Sequence, residues 1–206
     1  MSRLLLDLEP LEAAQEALSL TSRNLTREQY LAFCAANRDL RIERLASGEI
    51  VIMAPAHSRT GIQNAEITGQ LRNWARTDGR GIAFDSSAGF DLPNGANYGP
   101  DAAWVLKSRI ATLREDQKED FLPLCPDFVV ELRSKSDRLA TLKNKMREYI
   151  DTGAQLGWLI DPKTRTVYVY RPGVAEQEML NPAELSGDPE LPGFRLDLTP
   201  VWEPGL

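Results

Sequence analysis

The chain has 206 residues with one histidine, 42% hydrophobic residues and 26% charged residues, which is the ordinary balance of a single globular domain. No window approaches about 18 consecutive apolar residues, so no membrane-spanning helix is expected. The N-terminal apolar run is too short and too acidic for a secretory signal, and a cytoplasmic location is therefore expected. The net charge of −6 disfavours a constitutive nucleic-acid binder. Cys34 and Cys125 lie outside any metal-binding motif and are expected to be buried free thiols.

The N-terminal part of the sequence predicts two helices and a hairpin. Residues 1–20 form a short helical or frayed leader in this prediction. A capping box of the form T-x-x-Q then begins a helix over 26–36. Two β-rich runs, separated by Ser47-Gly48, predict a hairpin over 41–54. Apolar residues at helical spacing predict a further helix over 60–76.

The rest of the sequence alternates strands and helices. The predicted strands are GIAFDS, GFDLP, PDAAWVL, DFVVEL, LGWLID and TVYVYR. Helices are predicted over 107–119 and 136–152, the second capped by Ser136 or Asp137. The run DFVVEL has a continuous apolar centre, which indicates a central strand buried on both faces. The tail, 173–206, is expected to wrap the surface. This order predicts an α/β (α+β) fold with a mixed sheet and helices on both faces.

Two acidic residues occupy unusual positions. Glu131 lies inside the most hydrophobic predicted strand, where an ionised carboxylate is costly unless it is paired, for example with Arg133, or binds a metal. Asp101 follows Pro100 at the start of another strand. If these strands are neighbours, two hard oxygen donors without histidine or cysteine suit Mg²⁺ or Mn²⁺. Such an ion polarises a phosphodiester and activates water, and a nearby lysine would orient that water or offset charge on the phosphate.

Five short motifs in order resemble one known family. They are PD at 100–101, VVE at 129–131, S-x-S-D at 134–137, K-x-x-x-Y-x-x-x-G at 145–153 and WLIDP at 158–162. Each motif is weak alone, but five in this order and spacing resemble the Uma-type putative restriction endonuclease family of the PD-(D/E)XK nuclease superfamily. The resemblance covers most of the chain. It implies a restriction-endonuclease-like core, which we assign to 41–172. The chain is also expected to have an N-terminal helical segment over 1–40 and a C-terminal extension over 173–206 packed on the core.

The resemblance also implies roles for individual residues. Asp101 and Glu131 correspond to the two metal-binding carboxylates. The superfamily lysine would stand two residues after Glu131, where this chain has Arg133, which can clamp a phosphate but cannot serve as a base. The K-x-x-x-Y motif places that lysine on the following helix instead. It favours Lys145 as the third catalytic residue, although helical phase also allows Lys143 to reach a strand edge.

Further residues are weaker candidates. The basic run over 133–148 is either a solvated helix face or a path for phosphates, and its candidate nucleic-acid-binding residues are Arg133, Lys135, Arg138 and Lys143. A third acidic metal ligand would come from Glu43, Glu49, Glu66 or Asp85, although turn or surface roles are the simpler interpretation of each. His57 begins a helix, where a surface or capping role is expected, and Asp161 is expected to have a structural role.

The sequence therefore predicts an endonuclease dependent on Mg²⁺ (or Mn²⁺) that hydrolyses DNA phosphodiester bonds. The alternative is an inactive nucleic-acid-binding or protein-binding module on the same fold, which the missing lysine at position 133 and the acidic net charge favour. A third hypothesis is a toxin-like or mobile-element accessory protein that cleaves only within a larger assembly. By analogy with nucleases that cut two strands with two sites, a homodimer is a further hypothesis.

Overall fold

A computed structural model describes residues 25–53 and 55–206, together with the backbone of 18–20. The strands are β1 (Leu18–Leu20), β2 (Arg41–Arg44), β3 (Ile50–Met53), β4 (Gly81–Asp85), β5 (Phe90–Asp91), β6 (Asn97–Tyr98), β7 (Ala102–Leu106), β8 (Phe128–Leu132), β9 (Leu156–Asp161), β10 (Thr166–Tyr170), β11 (Gln177–Leu180), β12 (Glu184–Ser186) and β13 (Arg195–Asp197). The helices are α1 (Arg27–Ala36), α2 (Ser58–Asp78), α3 (Lys107–Ile110), α4 (Glu115–Lys118), α5 (Leu139–Thr152) and α6 (Thr199–Trp202).

The largest sheet has six strands in the order β11-β10-β9-β8-β7-β4. The β8–β9 pair is parallel, whereas β7–β8, β4–β7, β9–β10 and β10–β11 are antiparallel. A second sheet has the order β1-β3-β2-β6-β5, and β12 pairs with β13. The predicted α/β (α+β) class with a mixed sheet flanked by helices is confirmed.

Strand β8 is buried along its whole length, as its apolar centre predicts, and a hydrophobic cluster covers each of its faces. One cluster includes Val130 and side chains of α2 such as Leu71. The other includes Val129 and side chains of α5 such as Met146. The central sheet is thus sandwiched between α2 and α5, because each helix has one apolar stripe to bury.

The segment from α1 to β3 follows its sequence signals closely. The side chain of Thr26 accepts from the Gln29 amide N–H and the Gln29 side chain accepts from the Thr26 amide N–H, which completes the capping box. Strands β2 and β3 form the predicted hairpin, and Gly48 takes a positive φ of 85° at its turn. That turn fixes the register in which β2 pairs with β3.

Four local predictions were wrong. Leu18–Leu20 is a strand paired with β3, whereas a helical or frayed leader was predicted over 1–20. The rest of 1–24 lies outside the described residues. The predicted helix over 107–119 is two short helices, α3 and α4. The helix predicted over 136–152 begins at Leu139. The side chain of Asp137 accepts from the Ser134 amide and does not cap the helix. The short strand β6 lies within a region predicted as turn.

The C-terminal tail, which was expected to wrap the surface of the core, also contributes side chains to a hydrophobic cluster. Its buried apolar residues in the α2-side cluster are Leu185, Leu191, Phe194, Leu196, Leu198, Val201 and Trp202. Both cysteines are free thiols as predicted, but Cys34 is only half-buried. Within 25–53 and 55–206, no helix is long and apolar enough to cross a membrane.

Candidate carboxylate and lysine site

The pairing of β7 with β8 brings Asp101 and Glu131 together. Ala102 pairs with Val130 in this antiparallel ladder, so Asp101, one residue before Ala102, lies beside Glu131, one residue after Val130. The Oδ2 atom of Asp101 accepts a hydrogen bond from the Leu132 amide at 2.8 Å. Asp101 and Glu131 are 8% and 4% exposed. Two buried carboxylates therefore share one end of the central sheet.

Lys145 supplies a buried cation to these carboxylates. Its Nζ atom lies 2.9 Å from Oε1 of Glu131. The same Nζ atom donates to both carboxylate oxygens of Glu43, at 2.9 and 3.1 Å. Glu43 comes from β2 and is 5% exposed. We call Glu43, Asp101, Glu131 and Lys145 the carboxylate cluster; it joins three strands or strand ends to helix α5.

Aromatic side chains enclose the ammonium of Lys145. Tyr149 lies four residues further along α5, on the same helical face, and its hydroxyl donates to Oε1 of Glu131 at 3.0 Å. The ring of Tyr98 has its centroid 4.9 Å from Nζ of Lys145, within the range of a cation–π contact. The Tyr98 and Tyr149 rings meet edge to face. Lys145 and Glu131 are thereby shielded from water on the α5 side.

Burial and mutual repulsion control the protonation of the cluster. Burial, together with the nearby charges of Asp101 and Glu43, raises the pKa of Glu131 to about 7 despite the opposing effect of Lys145. Burial also raises the pKa of Asp101, against the opposing charge of Arg41. Burial alone would lower the pKa of Lys145, but Glu131 and Glu43 outweigh it and raise that pKa. Lys145 is therefore protonated at neutral pH. It can donate hydrogen bonds and supply a positive charge, but it cannot act as a base.

Arg41 and Asn64 contact Asp101 and were not predicted from the sequence. The Nδ2 atom of Asn64 donates to Oδ1 of Asp101 at 3.1 Å, from helix α2. The Nη1 atom of Arg41 lies 3.5 Å from the same oxygen, and Nη2 of Arg41 donates to the Gly99 carbonyl at 2.6 Å. The position of Arg41 two residues before Glu43, on the same face of β2, was the one sequence signal available for it.

The other predicted basic residues lie away from the carboxylate cluster or are already paired. Arg133 donates to Asp161 at 2.6 Å and to the Asp137 carbonyl at 3.2 Å, which also gives Asp161 its structural role. Lys143 pairs with Glu176 at 2.5 Å. Its Nζ atom lies 3.6 Å from the centroid of the Tyr168 ring. Lys135 and Arg138 are exposed near the start of α5.

Of the four candidates for a third acidic residue, Glu43 is the one that contacts Lys145. Its Oε1 atom also accepts from the Gly99 amide at 2.9 Å. Asp85 instead accepts from the amide and hydroxyl of Ser87, and Glu49 and Glu66 lie on the hairpin and on α2. His57 is exposed at the N-cap of α2 and makes no side-chain capping bond.

The residues of the cluster fit a hard divalent cation. Among the residues that the structure describes, no group of three or more His, Cys, Asp or Glu side chains is arranged to hold a metal ion. Mg²⁺, however, needs only one or two carboxylates, with water and substrate oxygens completing its shell. Asp101 and Glu131 offer two oxygen donors. Burial is the first cause of the raised pKa of both carboxyl groups, and a bound cation would offset this cost of ionising them.

Comparisons with known proteins agree with this architecture. A family model described as "Uma2: Putative restriction endonuclease" matches residues 27–199, and the chain belongs to this family. The resemblance predicted from the five motifs is thus confirmed. No curated protein shows significant similarity to the chain.

A solved structure supports the fold independently. A crystal structure titled as a putative nuclease belonging to DUF820 from Anabaena variabilis ATCC 29413 superposes with a TM-score of 0.67 and 22% identity. The match covers 78% of this chain and 89% of that chain. At this identity the likeness shows a shared fold. Family and fold together support a nuclease.

Proposed function

We propose that this protein is an endonuclease that hydrolyses DNA phosphodiester bonds with Mg²⁺ or Mn²⁺, using Asp101, Glu131 and Lys145. The observation that carries the proposal is the contact of Lys145 Nζ with Glu131 at 2.9 Å, beside the Asp101 carboxylate at the end of the central sheet. Acidic oxygen donors and a buried ammonium in one place are the groups that metal-assisted phosphodiester hydrolysis requires.

Each side chain has a definite task in this proposal. Asp101 and Glu131 would hold the ion, which supplies a Lewis acid and a more acidic bound water. Lys145, which stays protonated, donates to the attacking water or to a phosphate oxygen and offsets negative charge in the transition state. Tyr149 holds Oε1 of Glu131 in place through its hydroxyl. Glu43 anchors Lys145 from the other side.

The geometry removes one argument for the inactive binding module. That alternative drew support from arginine at position 133, where the superfamily has lysine. Arg133 is engaged with Asp161 and the Asp137 carbonyl, and Lys145 brings an ammonium to Glu131 from helix α5. The cluster therefore has a lysine, although it comes from a different element.

The test is titration calorimetry with Mn²⁺ and Mg²⁺, followed by a plasmid-nicking assay in the same buffer. Asp101→Asn keeps the size of the side chain and removes its charge, so it should weaken metal binding strongly and reduce nicking at least about 100-fold. Light scattering of the same samples tests the homodimer.

Asp127→Asn is a matched control. Asp127 is 7% exposed, close to the 8% of Asp101. It accepts from the Leu106 amide at 2.9 Å and from Arg109 at 2.8 Å, but it precedes β8 at the end opposite Glu131. This variant should keep metal binding and nicking. Metal binding without nicking in the wild type would favour the binding module or the larger-assembly hypothesis, and no metal binding would refute the proposal.

A further inference from the structure

Arg41 has hydrogen-bonding capacity that its protein contacts do not use. Its guanidinium reaches the Gly99 carbonyl and, at 3.5 Å, Oδ1 of Asp101. Its Nε atom is buried and has no hydrogen-bond partner among the described residues. The Nε atom of Arg44 on the same strand is also buried without a partner, so the inference rests on where the Arg41 guanidinium lies and not on this atom. A ligand of Arg41 must be an acceptor that can approach the terminal nitrogens of its guanidinium.

A cleft exposes part of the Arg41 side chain to solvent. The Arg41 side chain is 33% exposed, and it lines a cleft of about 670 Å³. The residues of this cleft that bear on the argument are Arg38, Arg41, Glu43, Asn97, Gly99 and Phe121. Asp39 and Asp120 also line it, so the cleft as a whole is not strongly basic, and any attraction for an anion is local to the guanidinium groups.

The charges around Asp101 specify the kind of acceptor. With Glu43, Asp101 and Glu131 ionised and Lys145 and Arg41 protonated, three negative and two positive charges leave −1. A divalent cation changes this to +1. One phosphodiester group, with a single negative charge, then brings the total to zero. Unpaired charge is costly in a buried site, so a metal ion and one phosphodiester would together suit these residues.

We propose that Arg41 is a phosphate-binding residue that contacts a phosphodiester of the nucleic-acid substrate beside the Asp101 and Glu131 site. This inference rests on the proposed function. Guanidinium groups bind phosphate oxygens through paired N–H donors. Asp101 does not depend on Arg41 for its position, because the Leu132 amide and Asn64 already hold both of its oxygens. Arg41 thus has a role beyond fixing Asp101.

The test measures binding of a 20-base-pair duplex in Ca²⁺ over a series of KCl concentrations, with the duplex checked for integrity on a gel. Loss of one phosphate contact reduces the slope of log K against log salt by about 0.9. At 0.1 M KCl this corresponds to about eightfold weaker binding. We expect both changes in Arg41→Gln. Arg41→Lys should keep the slope, because it keeps the charge, and should bind more weakly, because it lacks the paired donors.

The control and a second readout separate this role from a structural one. Arg44→Gln removes the same charge from the same strand, but residue 44 lies on the face of β2 opposite residue 41, so its slope should stay unchanged. Calorimetry of Arg41→Gln with Mn²⁺ and no DNA should show affinity equal to or tighter than wild type, because a nearby positive charge has been removed. A residue that merely positions Asp101 would give weaker Mn²⁺ binding.

The outcomes discriminate between the two proposals. An unchanged slope in Arg41→Gln, an equal decrease in Arg44→Gln, or weaker Mn²⁺ binding would each overturn the role of Arg41 while metal-dependent nicking by the wild type still supported the proposed function. If Arg41→Gln fails to fold, wild-type affinity in Arg41→Lys overturns the inference and weaker binding at equal slope supports it. A wild-type protein that binds neither Mn²⁺ nor DNA overturns both.

Discussion

Replacing Lys145 with methionine tests the electrostatic logic of the carboxylate cluster. The change keeps much of the apolar stem and removes a charge that contacts Glu131 at 2.9 Å and Glu43 at 2.9 and 3.1 Å. The side chains of Lys145, Glu43 and Glu131 are 13%, 7% and 5% exposed, so water cannot replace the lost ammonium. Breaking a buried ion pair in this way costs about 3–5 kcal/mol. For a chain of this size that corresponds to a decrease in Tm of about 6–20 °C.

The loss of unfolding free energy in Lys145→Met should increase as the pH rises. The pKa of Glu131 is already raised from 4.5 to about 7 and rises further in Lys145→Met. Above pH 4.5 the folded variant then retains a proton that the unfolded chain releases, so its unfolding free energy falls as pH rises. Urea unfolding can be followed by tryptophan fluorescence at pH 5 and pH 8. The difference in unfolding free energy between variant and wild type should be small at pH 5 and larger at pH 8.

Lys143→Met is the matched control on the same helix. Lys143 has one acidic partner, Glu176, and one aromatic partner, Tyr168, whereas Lys145 has two acidic partners. The side chains of Lys143 and Glu176 are each 21% exposed. Partly exposed pairs of this kind contribute about 1 kcal/mol or less. Equal destabilisation by the two methionine variants, or a gap for Lys145→Met that does not narrow at pH 5, would refute the reasoning that the buried carboxylates depend on Lys145.

Two further predictions concern the metal. Because protons compete for Glu131 below its pKa of about 7, Mn²⁺ affinity measured by calorimetry should be about tenfold weaker at pH 6 than at pH 8, with proton release on binding; an affinity independent of pH would contradict Glu131 as a ligand. Tyr149→Phe removes the hydroxyl that donates to Glu131 and should lower metal affinity or nicking about 10–100-fold. Tyr98→Phe, whose hydroxyl donates to Glu148, is its control, and equal losses in both variants would assign the effect to packing.

The elements that were predicted correctly are those determined by interactions between residues close together in the sequence. The T-x-x-Q capping box, the glycine turn of the β2–β3 hairpin and the continuous apolar run of β8 each act within a few residues. The structure contains all three. The anomaly of Glu131 inside an apolar strand was visible for the same reason, since burial of that strand follows from its own composition.

Signals that depend on tertiary contacts were missed or misread. Asp137 resembles a helix cap, but its side chain instead closes a turn onto the Ser134 amide, and the choice between these two short-range bonds depends on how the chain leaves β8. The 102-residue separation of Glu43 and Lys145 explains why Glu43 could not be distinguished from Glu49, Glu66 or Asp85. Its contact exists only when β2 and α5 meet.

A positive charge can be placed beside Glu131 from two different parts of the fold. A lysine at position 133 would approach Glu131 from within β8, but here that position holds Arg133, whose bonds to Asp161 and the Asp137 carbonyl brace the chain that leaves the strand. Lys145 reaches the same carboxylate from α5, and Glu43 on β2 fixes its other side. The cation is therefore coupled to three separate elements. A substitution in β2, far from β8 in sequence, is expected to alter the charge at Glu131 as directly as a change on the strand itself.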